Sequence, residues 1–267
     1  MKTHLIRLGS VVPHGVGGPE AGCIDLIYTF LLQEYQQNVY SYIGINQIGD
    51  DLNEFVMKKP GNCIYINIRY PVYEDFENRS VAEKNRIRLD VVHESLLRIA
   101  NEDKKFDINK LEIIRDRVLK QDFSFDLVYK IFLNKKREGL LAKIIITPLE
   151  DRFKYFVLIE ENEITKCKNL IYIGKPSDYY IDGLFSSGKW KGINEFVVTG
   201  KNKEMEIHAY VDKCSIEYIN TSGYKGKAPF FELMKQHSSK DETDNAYKDW
   251  IHSLPPGIAA IITHEPN

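Results

Sequence analysis

What the chain lacks narrows its identity first. No stretch of its 267 residues approaches the roughly 18 to 20 consecutive apolar positions of a membrane-spanning helix. The most apolar early run, Cys23 to Leu32, is ten residues long and contains Asp25, so it reads as a buried helix. No charge of one sign dominates: 36 basic against 38 acidic residues leave a net charge of −2. Proteins whose main partner is a phosphate backbone carry a basic excess on one face, so no nucleic-acid partner and no membrane are expected. The four cysteines, Cys23, Cys63, Cys167 and Cys214, stand 40, 104 and 47 residues apart. No C-x-x-C pair exists, which removes the zinc ribbon and the thioredoxin-type site. The opening MKTHLIRLGSVVPHGVGG has no continuous apolar segment of the secretory kind. A cytoplasmic protein with reduced thiols is therefore expected, with the sequons at Asn78 and Asn220 unused.

What is present is an ordinary globular composition, 43% apolar and 28% charged, enough to build a core without metal or disulfide. Residues 1–22 carry five glycines and two prolines and read as an irregular or surface-pinned arm. From Cys23 to Tyr35, Ile24, Ile27, Leu31 and Tyr35 recur at helical spacing. Val39 to Ile45 is β-branched and aromatic and reads as a strand. Asp50 is placed to cap a short helix with Leu52, Phe55 and Val56 inward, ended by Pro60 and Gly61. Asn62 to Tyr70 alternates, with Ile64, Ile66 and Ile68 on one side, and is the clearest strand of this half. Ser80 and Glu83 have capping-box spacing before a long helix with Leu89, Val92, Leu96 and Ile99 inward. Asp107 caps a second helix with Ile108, Leu111, Ile114 and Val118 inward, completing an αα-hairpin.

At Phe123 helical periodicity gives way to alternation. Seven β-type runs follow: Phe125–Leu133, Leu140–Thr147, Phe153–Glu160, Ile164–Ile173, Glu195–Thr199, Met205–Val211 and Cys214–Ile219. TGKNKE at 199–204 is the best hairpin turn between them. The expected fold is α+β: a mixed N-terminal half with a helical hairpin, then an antiparallel, β-sandwich-like C-terminal half. The expected divisions are a Gly-rich arm (1–22), an α+β region (23–124), a β-rich region (125–222) and an irregular or helical tail (223–267).

The candidate chemistry is thin. His93–Glu94 has the start of a zinc-protease helix, but the second histidine's place is taken by Leu97. Arg86, Asp90, Glu94 and Arg98 stand four apart and can pair along one exposed helix face, leaving His93 structural. No cysteine has an evident histidine partner; Cys214, six residues from His208, reads as a small buried strand residue. GVGGPEAG at 15–22 lacks the Lys and Ser/Thr of a phosphate loop, and no convincing strand-to-helix unit surrounds it. No catalytic residue, metal ligand or cofactor is assigned.

Aromatics remain, at 12% of the chain. Tyr179, Tyr180, Phe185 and Trp190 crowd a Gly- and Ser-interrupted segment read as a long loop, where binding residues concentrate. They are the candidate binding site, with the Tyr-rich edge around Tyr65, Tyr70 and Tyr73 next in line. The function expected by elimination is a non-enzymatic interaction module with a protein partner, of the bacterial toxin-neutralising (immunity) kind. The rival is a hydrolase with a dispersed site, His93, Glu94, His208 and Asp212 being its members.

Overall fold

A computed structural model describes residues 6–150, 152–174, 187–199 and 205–220, with the single positions Lys248, Asp249 and His252. The fold is α+β, with its strands in three four-stranded sheets. The chain divides into two compact units. One is built on the residues up to Leu127 with Ile146–Lys154; the other is built on Val128–Ile145, Tyr155–Ile173 and the strands that follow.

The first unit opens with β1 (Ile6–Ser10), where an irregular arm was expected. A Gly-rich loop leads from β1 into α1 (Gly22–Glu34), and the chain returns through β2 (Tyr42–Ile48) parallel to β1. This is a strand–helix–strand crossover, so the expectation that no such unit surrounds GVGGPEAG is corrected. Its five-residue strand is hidden in sequence because its edge is satisfied from a distance. The Ile6 and Leu8 amides donate to Thr29 Oγ1 and Asp25 Oδ2 of α1, at 3.2 and 3.1 Å. Helix α1 thereby seals the outer edge of β1, removing a template for strand pairing.

β4 (Cys63–Arg69) pairs in parallel with β2, and β3 (Phe55–Lys59) lies antiparallel at the other edge, giving the order β1-β2-β4-β3. β3 replaces the expected helix after Asp50. Leu52, in the bend before β3, and Phe55, its first residue, were expected inside and are each 42% exposed, because the connection and an edge strand bury little. α2 (Val81–Asp103) starts on the capping box of Ser80 and Glu83. α3 (Ile108–Lys120) starts on Asp107, whose carboxylate accepts from the Asn109 and Lys110 amides. Leu111, Ile114 and Val118 are buried as their spacing requires; Ile108, in the first turn, is exposed. The expected i,i+4 ladder on α2 does not form. Arg98 reaches Glu54 at 2.7 Å and Asp90 is held by Arg115 at 2.8 Å, so these charges tie α2 to neighbouring elements instead.

One side of this sheet is a wall of Ile43, Ile45, Ile64, Ile66 and Ile68, all buried. The helices lie on that side. Lys58, whose register partner is Ile64, pairs with Asp103 of α2.

The second unit carries two meanders, each joined by short turns and therefore antiparallel. β5 (Leu127–Leu133), β6 (Leu140–Pro148), β7 (Phe153–Glu161) and β8 (Ile164–Gly174) form one sheet. β9 (Ser187–Lys191), β10 (Glu195–Thr199), β11 (Met205–Tyr210) and β12 (Ser215–Asn220) form the other. Seven strands were expected here; the eighth is β9, which carries Trp190. The sheets meet where Phe132 packs on Phe196 at 5.1 Å and where the Tyr218 hydroxyl donates to the Ile171 carbonyl at 2.7 Å. Cys167 and Cys214 form a disulfide between them, their Cα atoms 5.2 Å apart. Reduced thiols were expected throughout; a 47-residue separation carries no pairing signal. Closing a loop of that size stabilises a fold by about 4 kcal/mol in the chain-entropy account. Unfolded without reductant, the protein should therefore release two titratable thiols, Cys23 and Cys63, and four after reduction. Four in both states would show that the bridge does not form.

Candidate functional site

The carboxyl ends of parallel strands are where open α/β sheets place their ligands. At that end of β1 and β2, the Gly-rich loop is clamped by side chains. Gln47, fully buried at the end of β2, accepts from the Val16 amide at 2.8 Å through Oε1. Its Nε2 donates to the Tyr70 and Pro71 carbonyls. Arg88 of α2, 4% exposed, donates to the Val16 carbonyl at 3.1 Å, pairs with Glu150 at 3.3 Å and stacks over Phe76. The Gly15 and Gly18 amides are bonded to the Val12 and Leu8 carbonyls. Gly17 is packed so tightly on the Gly9 backbone that no Cβ fits. A phosphate cradle needs free amides, and here Gly15, Val16 and Gly18 have already given theirs to the protein.

Buried under this loop is Asp25, 4% exposed, with Oδ1 unpartnered among the described residues. Burial raises its pKa from 3.8 to about 7, against the Leu8 amide and the pull of Arg7 and Arg88. Burial also pushes the Cys23 thiol up to about 12, which makes it a poor nucleophile.

Beyond the ends of β2 and β4 lies a cavity of about 350 Å³ lined by Ile48, Gly49, Asp50, Arg69, Tyr70, Pro71 and Val72. Arg69 is anchored through its Nη2, which donates to the Leu52 carbonyl at 2.8 Å, and Asp50 stands 3.9 Å from its Nε.

The side of the sheet opposite the isoleucine wall has no described helix on it. Parallel pairs such as β1-β2 and β2-β4 normally lie in sheets with cover on both faces. Registers place Arg7, Gly44, Tyr65 and Met57 in one row and Gly9, Asn46, Asn67 and Phe55 in the next. Tyr42, Cys63 and Lys59 form a third. A Cβ on Gly44 would stand 2.6 Å from the Tyr65 ring, so the glycine is what lets that ring lie across β2. Tyr42 packs on Tyr65 at 5.6 Å, Lys59 sits over its ring at 4.5 Å, and Asn46 donates to Asn67 at 3.2 Å. Phe55 and Met57 are exposed, and no strand position on this face is acidic.

The residues singled out from sequence fare unevenly. Tyr179, Tyr180 and Phe185 lie outside the described residues, as do the 199–204 hairpin beyond Thr199 and the Trp250 turn. Trp190 is half-buried on a strand rather than in a loop. Its Nε1 donates to the Phe132 carbonyl at 3.0 Å and its ring packs on Phe196 at 5.4 Å, so it serves the fold of the second unit. His93 accepts from the Tyr28 hydroxyl at Nδ1 (2.8 Å) and faces Glu112 with Nε2 (3.3 Å), tying α1, α2 and α3 together. Burial holds its pKa below the usual value, against Glu112. His208 has Glu195 at 2.5 Å on Nδ1 and Glu206 at 2.8 Å on Nε2. Each histidine thus has both nitrogens engaged within its own unit, and Glu94 and Asp212 are exposed. Among the described residues no three His, Cys, Asp or Glu side chains stand in metal-holding geometry, and no helix is long and apolar enough to cross a membrane. Sequence reasoning missed Phe55 and Met57, which it placed on a helix, and Tyr42, which it placed on a strand without a side.

Compared with protein-family models, curated proteins and solved structures, the chain finds no match.

Asp25 sets a pH dependence. An acid whose folded pKa lies above its unfolded one holds its proton in the fold, so its contribution is complete below pH 3.8 and declines as pH rises towards about 7. Asp25→Asn removes that decline. The variant's melting temperature should gain on the wild type steadily between those values and hold its advantage above them. A difference that stays constant across the range would show that Asp25 is ionised throughout.

Proposed function

We propose that the protein acts by binding, without making or breaking bonds, and that the sheet face of the first unit on which no described helix lies is where a protein partner docks. One observation carries this reading: a cluster of aromatic and apolar side chains, Tyr42, Tyr65, Phe55 and Met57, drawn from three adjacent register rows, on a face whose strand positions include Arg7 and Lys59 and no acidic residue. Exposed apolar clusters with basic residues among them favour a partner surface that is apolar with acidic groups around it. Aromatic residues supply most of the energy at such interfaces, and a sheet presents them with little ordering cost. Neutralising a toxin or effector requires a complementary face and no chemistry, and the proposal extends to that role.

Cys63 offers the test. It is free and half-exposed on this face, whereas Cys23 is buried. A thiol-directed photocrosslinker on Cys63 of the native protein should capture one partner from an extract of the source cells, in stoichiometric yield. Tyr65→Ala combined with Phe55→Asp should abolish capture and leave the melting temperature within a few degrees. Co-expression with the captured partner should then relieve its toxicity. Capture that persists unchanged in the double variant would move the docking surface elsewhere.

A further inference from the structure

The cavity beyond β2 and β4 is separate from the docking proposal in its chemistry. We infer that it is a binding site for a free apolar α-amino acid, with Arg69 taking the carboxylate and Asp50 the ammonium group. Its position is the one where parallel strands end and their loops diverge. About 350 Å³ is at the small end of the range for organic ligands, which suits an amino acid better than a nucleotide. Its walls are Ile48, Pro71, Val72 and the Tyr70 ring, an apolar surface for a side chain.

The cationic side of the site is set in advance. The Arg69 amide donates to Glu54 Oε1 at 2.7 Å and its Nη2 to the Leu52 carbonyl at 2.8 Å, which fixes the guanidinium while leaving other donors open. Glu54 is itself held by Arg98. Gln47 pins the wall by donating to the Tyr70 and Pro71 carbonyls at 3.1 and 3.3 Å. Asp50 is fully exposed and 3.9 Å from Arg69 Nε, too far for a hydrogen bond. Arg69 and Asp50 form only a long, solvent-exposed ion pair, into which a head group whose ammonium and carboxylate share one carbon can insert. A simple anion would meet Arg69 but be repelled by Asp50; a simple cation would meet the reverse.

The experiment pairs ligand deletions with protein deletions. Calorimetric titration of the whole chain with L-leucine should show saturable binding. N-acetyl-L-leucine, which lacks the ammonium, and L-leucinamide, which lacks the carboxylate, should each bind about tenfold more weakly. Asp50→Asn should erase the preference for leucine over the N-acetyl form, and Arg69→Gln the preference over the amide. The ligand arms need no variant, so a folding failure of Arg69→Gln leaves the proposal testable. Absence of saturable binding, or equal binding of all three ligands to the wild type, overturns it. Neither result bears on partner capture through Cys63, so the two proposals fail independently.

Discussion

A single buried cation organises the first unit. Arg88 reaches from the middle of α2 to the Gly-rich loop, the Phe76 ring and Glu150, on the turn between β6 and β7. A guanidinium that is 4% exposed must be matched where it lies, and removing the partner of such a charge costs roughly 3–5 kcal/mol. Every neighbour is therefore held in place. Val16 cannot lift away without stranding a donor, and Gln47 grips the same residue from its amide side. The loop that looks like an anion cradle in composition is a structural clamp in fact. Its rigidity passes to the carboxyl ends of β2 and β4, because Gln47 also holds the Tyr70 and Pro71 carbonyls.

Much of this fold is legible in the chain, and what is not shares a cause. The alternation of Ile64, Ile66 and Ile68 gives β4 outright, since one of its faces is buried and the other is not. Ser80 with Glu83, and Asp107, give two helix starts because capping is a local transaction between residues two or three apart. The elements that escaped are those whose stability comes from far away. β1 is satisfied by Asp25 and Thr29, 17 and 23 residues later. β3 leaves four of its five residues exposed, and Leu52, Phe55 and Val56 happen to fall at helical spacing. Arg98 and Asp90 find partners on other elements although i,i+4 partners were at hand.

The proposed docking surface was half legible for the same reason. Tyr65 stood in a strand that was read correctly and belonged to the second-choice tyrosine edge. Its neighbours Met57 and Phe55 come from the misread β3, so their alignment with Tyr65 and Asn67 could only emerge from the register. Trp190 shows the opposite case for placement, a strand residue read as part of a loop. An aromatic among glycines and serines resembles a binding loop, but its indole N–H is spent on the Phe132 carbonyl.

The sealing of β1 by Asp25 and Thr29 has a bearing on assembly. A four-stranded sheet has two lateral edges, and here one has its outward amides bonded to a helix. Among the described residues of this sheet, that leaves β3 as the edge open to another strand. Two copies joined there by a twofold axis would use up the open edge of each, so strand addition through this particular sheet closes on itself rather than propagating. Lys59 stands on that edge and sets like charge against like when identical copies approach, while Lys58 is paired with Asp103.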